Sequence, residues 1–157
     1  MLDFTVLMSV YNKEDPIFLD MSLSSILDLQ TIIPNEVIII KDGALTKSLD
    51  VVLNKYLSEY SSILKVYGYS VNKGLGYALN YGLNKSSNEI IFRMDSDDIA
   101  SPLRFEKQLE VFEENKNNLA IVGSNIEEFN SIPHDLNRFR NVPSSSLEIN
   151  NKKFYRN

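Results

Sequence analysis

Ile90-Ile91-Phe92-Arg93-Met94-Asp95-Ser96-Asp97-Asp98 decides how this chain is read, because an apolar, β-forming run ends abruptly in three carboxylates within four residues. A buried strand that delivers like charges into a confined loop must hand them to something cationic, since unpaired carboxylates repel one another. A divalent metal is the economical partner. Hard oxygen donors suit Mg2+ or Mn2+, and Mg2+ takes one or two carboxylates and completes its shell with water and substrate phosphates. The run therefore points toward a phosphorylated ligand. Asp-Ser-Asp-Asp also serves as turn and helix-capping chemistry. Its place at the carboxyl end of a strand, where open α/β sheets gather their ligands, favours the metal reading.

The same pattern of apolar run and polar ending recurs upstream. Thr5 to Tyr11 reads as a first strand, apolar on both faces, broken by Asn12 to Asp15. Pro16 opens a helix whose Leu19, Leu23, Ile26 and Leu27 follow helical spacing, and Pro34 and Asn35 close the connection. Val37 to Ile40 is a second strand ending in Lys41-Asp42-Gly43. From Ser48 the stripe Leu49, Val52, Leu53, Tyr56, Leu57 and Tyr60 marks an amphipathic helix that serves as scaffold. Ile63 to Tyr69 makes a third strand, followed by Asn72-Lys73-Gly74-Leu75-Gly76 and a short helix carrying Ala78, Leu79 and Leu83. Glu89 to Met94 is the fourth.

Downstream, Ser101-Pro102 makes a helix start, with Phe105, Leu109 and Phe112 as its buried face, and Ala120 to Gly123 is expected as a fifth strand. This alternation predicts an α/β fold with a Rossmann-type, mainly parallel sheet flanked by helices on both faces. Past Ser124 the regularity fades, with a helix start expected at Ser145-Ser146-Leu147-Glu148. The chain then stops at Lys152-Lys153-Phe154-Tyr155-Arg156-Asn157 without a terminating signal, as though cut.

Bulk properties set bounds on this reading. A chain of 157 residues, 43% apolar and 24% charged, fits one ordinary globular domain that buries roughly two thirds of its unfolded surface. Cysteine is absent, which excludes disulfides, thiolate metal sites and Cys nucleophiles. A net charge of -5 and a pI near 4.9 disfavour nucleic acid and anionic lipid as partners. The start has no basic leader, and no apolar run reaches the roughly 18 residues of a membrane span. A soluble, cytoplasmic protein is expected, with the inner face of the membrane open to a longer form.

Parallel strands bring their polar ends to one rim: Ser9 with Tyr11 and Asn12, Asp42, Asn72 to Gly76, and Asp95 to Asp98. Asp42 can accept a hydrogen bond from a pyrimidine imide, Tyr11 can stack on a base, and the glycines let the backbone approach a ribose or phosphate. Asp42-Gly43 by itself is also an ordinary turn. A dinucleotide fingerprint fails because its third glycine would fall at Leu79, and no P-loop motif is present. His134, the single histidine, reads as a surface or packing residue.

Together these residues resemble the family 2 glycosyltransferases, GT-A-fold enzymes that use nucleotide sugars. The resemblance runs through Ser9-Val10-Tyr11-Asn12-Lys13, Lys41-Asp42-Gly43, the alternating Asn72, Gly74, Gly76, Ala78, Asn80 and Gly82, Met94-Asp95-Ser96-Asp97-Asp98, and Pro102 with Arg104. It implies a nucleotide-sugar-binding domain over 1–125 and the start of an acceptor-side region over 126–157. It implies a UDP-linked sugar held by Ser9, Tyr11, Asn12, Asp42, Asn72, Gly74 and Asp95. It also implies Mn2+ or Mg2+ on a D-x-D motif of Asp95 and Asp97, with Asp97 coordinating the ion. The expected reaction is an inverting hexosyl transfer to a glycan or lipid-linked acceptor, in the manner of bacterial capsular and exopolysaccharide enzymes.

Lys41 stands where the family often has an acid. Such enzymes usually carry the catalytic base, which contributes about 10^2 to 10^4-fold, in a second half. That half is expected to be missing here, so this fragment should bind donor better than it transfers sugar. Two other readings remain: a non-catalytic nucleotide-sugar-binding module, and a receiver-like phospho-acceptor domain.

Overall fold

The first apolar run becomes β1 (Phe4–Val10), followed by α1 (Pro16–Leu27), β2 (Glu36–Asp42), α2 (Lys47–Glu59), β3 (Leu64–Tyr69), α3 (Leu75–Leu83), β4 (Ile90–Asp95) and α4 (Arg104–Asn115). The computed structural model describes residues 2–115, 119–130, 132–143 and 145–152. The chain divides into two compact units, Met1–Glu113 and Glu114–Asn157.

In the first unit the four strands form one sheet in the order β3-β2-β1-β4, and every pairing is parallel. The chain steps outward from β1 to β3, then crosses back to place β4 on the other side of β1. Direction reverses between β1 and β4, the switch point at which doubly wound sheets open a crevice beyond their carboxyl ends. A receiver-like order would instead set β1 between β2 and β3. That arrangement is not adopted.

Strand alternation divides the core in two. Phe4, Val6, Met8 and Val10 of β1, with Val37 and Ile39 of β2, pack under α1, α2 and α4, while Leu7, Ile38 and Ile40 lie under α3 with Ala78. On the first face Phe4, Phe92 and Phe105 form a ring cluster with centroids 4.8 to 5.1 Å apart, anchoring α4 to β1 and β4. On the second face α3 approaches so closely that a Cβ on Gly82 would come within 2.3 Å of Leu7 Cδ1. Gly82 and Ala78 are accordingly the inward residues of α3, and Leu83, expected inside, is exposed.

Local signals start the helices. Asp15 caps α1 through the Ile17 amide (2.8 Å) with Pro16 in the first turn, and Thr46 caps α2 through the Leu49 amide (3.3 Å). α4 begins after a turn, at Arg104, and not at Ser101-Pro102. The Pro102 carbonyl accepts the Thr31 amide (3.0 Å) and so is held by the segment after α1.

The expected fifth strand does not form, since residues 120–123 are irregular and Ile121 is 85% exposed. Strand preference is realised through packing against neighbours, and this four-residue run acquires none. The second unit instead carries an antiparallel pair, β5 (Ile126–Glu128) and β6 (Arg138–Arg140), with Glu128 paired to Arg140 across it. α5 (Ser146–Lys152) follows where a helix start was expected, with the Glu148 amide bonded to Ser145 Oγ (3.2 Å). The terminal run from Lys153 lies outside the described residues. His134 is exposed, with Nδ1 2.9 Å from Glu127 Oε1. Among the described residues, no helix is long and apolar enough to cross a membrane.

Candidate functional site

Strand register brings the polar ends together. Ser9 of β1 lies opposite Asp95 of β4 and Ile40 of β2, while Asp42 lies opposite Tyr69 at the end of β3. The loops leaving β1, β2, β3 and β4 therefore share one rim, with β1 and β4 adjacent at the switch point.

At that rim Asp95 pairs with Arg93, and its carbonyl accepts the Asp98 amide (3.4 Å), so Asp-Ser-Asp-Asp closes a turn and concentrates charge at once. Asp97 is exposed on the turn. Desolvation pushes the Asp98 carboxyl above its ordinary pKa, and the charges of Asp95 and Asp97 push it further, with Arg104 and Arg93 opposing. Arg104 donates from Nη2 to the Arg93 carbonyl (2.8 Å) and from Nε to Gln108 (3.3 Å), which seats a guanidinium behind the turn.

One acid of the rim is not among the residues singled out in the sequence. Glu14, in the loop after β1, has its carboxyl pKa raised by burial, then by Asp97 and less by Asp95, against a hydrogen bond from Ser96. Its signal was available: it occupies the same kind of strand-end loop as the others, four residues beyond β1.

Negative charge is thus concentrated on this rim, where burial and the neighbouring carboxylates raise Glu14 and Asp98. Among the described residues, no three His, Cys, Asp or Glu side chains are arranged to enclose a metal ion unaided. An ion of the Mg2+ kind takes one or two protein carboxylates and draws its remaining ligands from water and phosphates. Asp95 and Asp97 fit Mn2+ or Mg2+ in that sense.

Asp42 behaves differently from the exposed acids. It is 3% exposed, and its two carboxylate oxygens accept the amides of Lys73 (2.7 Å) and Gly74 (2.9 Å). Gly74 is the N-cap position of α3, whose first-turn amides have no side-chain cap, and Asp42 fixes the two amides just before the helix, placing its charge near the helix start. Gly43 turns back with φ +89°, and a Cβ there would meet the Asn72 amide nitrogen at 2.8 Å. Asn72 Nδ2 returns a hydrogen bond to the Asp42 carbonyl (3.2 Å). The Tyr69 hydroxyl is buried beside this carboxylate without a well-formed hydrogen bond, and burial and the Asp42 charge push its pKa up.

Asp42→Ala is expected to leave both amides without their acceptor and cost about 2 kcal/mol. Urea denaturation measures the loss, and hydrogen exchange should show it concentrated at residues 73 and 74.

Tyr11 and Asn12 are exposed on the β1 loop, and Ser9 is half-buried below them. A recess of about 440 Å3 lies further out, between Lys41, Gly43, Val66 and Gly68. Its cation is already bonded to Asp50 at 2.7 Å, and no acid lines it. The acids instead gather at the rim.

Comparison with known proteins identifies the family and the fold. Residues 5–156 match the family described as Glycosyl transferase family 2. Over 141 residues the chain is 41% identical to a UDP-Gal:alpha-D-GlcNAc-diphosphoundecaprenol beta-1,3-galactosyltransferase of Escherichia coli, covering 90% of this chain and 50% of that protein. The chain spans about half the length of the curated relatives it matches, 54%, 50% and 53% for the first three. The fold matches S. aureus TarS 1-349 in complex with UDP-GlcNAc at TM-score 0.62 and 24% identity, over 78% of this chain and 38% of that one. It also matches the mannosyltransferase PcManGT from Pyrobaculum calidifontis in complex with GDP-Man and Mn2+ at TM-score 0.60 and 19% identity, over 69% and 32%. At those identities the structures speak to the fold.

Proposed function

We propose, from the premise that the chain belongs to glycosyl transferase family 2, that its parallel-sheet unit binds a UDP-linked sugar as donor for an inverting hexosyl transfer. The observation that carries this reading is that strand register sets Ser9 beside Asp95 at the β1/β4 switch point, on the rim that also holds Asp97, Tyr11, the Asp42 loop and Glu14, a carboxyl raised by burial and by the charges of Asp97 and Asp95.

In this reading Tyr11 stacks on the uracil, and Ser9 and Asn12 line the base and ribose. Asp42 works mainly through the backbone it holds: with both oxygens already bonded, it fixes Asn72, Lys73 and Gly74 so that their loop can close against the nucleoside. Asp95 and Asp97 would hold Mn2+ or Mg2+, which would supply positive charge to offset that of the departing diphosphate. The ion's use in the Mn2+ complex of PcManGT supports that choice. The UDP-GlcNAc complex of TarS and the UDP-Gal donor named for the E. coli relative support uridine as the base. That relative's diphosphoundecaprenol acceptor favours a glycan or lipid-linked acceptor in polysaccharide assembly.

A non-transferring nucleotide-sugar-binding module would share this site and differ in lacking turnover. Calorimetry decides the binding claim: UDP is expected to bind with Mn2+ present and to weaken at least about tenfold with EDTA, one such factor being about 1.4 kcal/mol. No heat of binding for UDP with Mn2+ would overturn the reading.

A further inference from the structure

α1 presents an apolar stripe to the sheet, Leu19, Leu23, Ile26 and Leu27, interrupted by two fully buried serines, Ser22 and Ser25. A buried hydroxyl is costly unless bonded, so what it bonds explains its presence. Ser22 Oγ donates to the carbonyl of Asp95 (3.0 Å), the residue at which β4 ends. Ser25 Oγ donates to the Ser22 carbonyl (2.7 Å) and accepts the amide of Ala100 (3.0 Å). The two hydroxyls thus grip the beginning and the end of residues 95–100, the segment that contains Asp97 and Asp98.

Beyond α1 the grip continues. Gln30 Nε2 donates to the carbonyls of Ser25 and Ser101, both at 2.8 Å, and the Thr31 amide donates to the Pro102 carbonyl (3.0 Å). A loop crowded with repelling carboxylates would otherwise relax by spreading them apart.

We propose that Ser22 and Ser25, backed by Gln30, are positioning residues that hold the acid loop in the geometry needed to share a divalent cation with a diphosphate. This rests on the donor-binding reading above. It adds that metal-dependent affinity is set in part by α1, a helix whose serines touch neither donor nor metal.

The test compares Ser25→Ala and Ser22→Ala with the unmodified chain and with Glu36→Gln, a destabilising control at the opposite end of the sheet. In the unliganded chain, amides of residues 98–100 should exchange about tenfold faster in the serine variants, the loss of one hydrogen bond. Glu36→Gln should leave those amides as they were relative to the rest of the sheet. In calorimetry, the Mn2+-dependent affinity for UDP should fall about tenfold, as for other groups that orient metal ligands, while uridine binds as before.

Exchange at 98–100 no faster than in the control, or equal losses for uridine and UDP, would overturn the proposal. If the unmodified chain binds no UDP with Mn2+, the donor-binding reading fails, and exchange alone decides whether the serines hold the loop. Should Ser25→Ala not fold, Ser22→Ala removes one hydrogen bond, leaves the Ser25–Ala100 bond in place and carries the same test.

Discussion

Asp97→Ala is expected to remove the metal-dependent part of UDP binding, a loss of about 3 kcal/mol or roughly 100-fold in affinity. The size follows from what the side chain does. Asp97 is exposed on the turn, as is Asp98, while Asp95 is already shared with Arg93. Without Asp97 the ion would keep a single carboxylate, itself half neutralised, and the pyrophosphate would lose its bridge to the protein.

The fold should be indifferent, because exposed residues away from caps and buried networks change stability by about 0.5 kcal/mol or less. Removing a mutually repelling charge should, if anything, help. Three measurements on one variant make the case: UDP with Mn2+, UDP with EDTA, and the urea midpoint. The first should collapse onto the second while the third stays put. Unchanged UDP affinity in the presence of Mn2+ would place the ion elsewhere and sink the assignment.

Glu36→Gln is expected to cost about 3 kcal/mol of stability at neutral pH, with its effect fading in acid. Glu36 begins β2 at the rim opposite the acids, is 4% exposed, and accepts from Lys65 Nζ (2.6 Å), Thr5 Oγ1 (2.8 Å), and the Ser87 amide (2.9 Å) and hydroxyl (3.0 Å). Burial alone would raise its pKa, but these four hydrogen bonds outweigh it and hold the carboxyl down at about 2, against 4.5 for an unperturbed glutamate.

A carboxylate depressed on folding contributes stability that is fully present above the unfolded pKa and is lost as pH falls through the folded one. The parent chain should therefore lose this contribution between about pH 4.5 and pH 2. The glutamine side chain of the variant cannot take up a proton in that window, so the difference between parent and variant should be largest at pH 7 and narrow steadily below pH 4.5. Urea denaturation at several pH values checks it, and a stability gap that does not change with pH would refute the account.

Much of the architecture was legible without coordinates, for a reason visible in the strands. A parallel strand covered on both faces reads as a nearly continuous apolar run. Ile38-Ile39-Ile40 and Leu7-Met8 announce themselves in this way, and all of them are buried. The run at 120–123 looks the same locally and is not a strand, because nothing pairs with it. The start of α1 was legible at Pro16, beside its local cap Asp15, while α2, read from Ser48, begins at Lys47 with Thr46 as its cap. The loop before α3 was not legible, because the carboxylate that fixes its Lys73 and Gly74 amides comes from Asp42 on another strand.

The candidate site divides along the same line. Strand-end position and residue type pointed to Asp95, Asp97, Ser9 and Tyr11, whereas Glu14 was passed over as part of a strand-breaking loop. Ser22 and Ser25 gave no signal, since a serine on a helix reads as surface until its neighbours are known.

By itself the sequence determined the order and kind of the elements from Phe4 to Asp98, the apolar faces they bury, and the family to which the chain belongs. Only the tertiary structure decided that β4 returns beside β1, that Asp42 fixes the loop before α3, that Glu14 joins the acids, and that α1 grips the acid loop. Periodicity and capping are written within a few residues and survive in a linear reading. A charge or a buried hydroxyl takes its meaning from a partner far along the chain, 32 residues from Asp42 to Gly74 and 75 from Ser25 to Ala100, and folding alone brings those partners together.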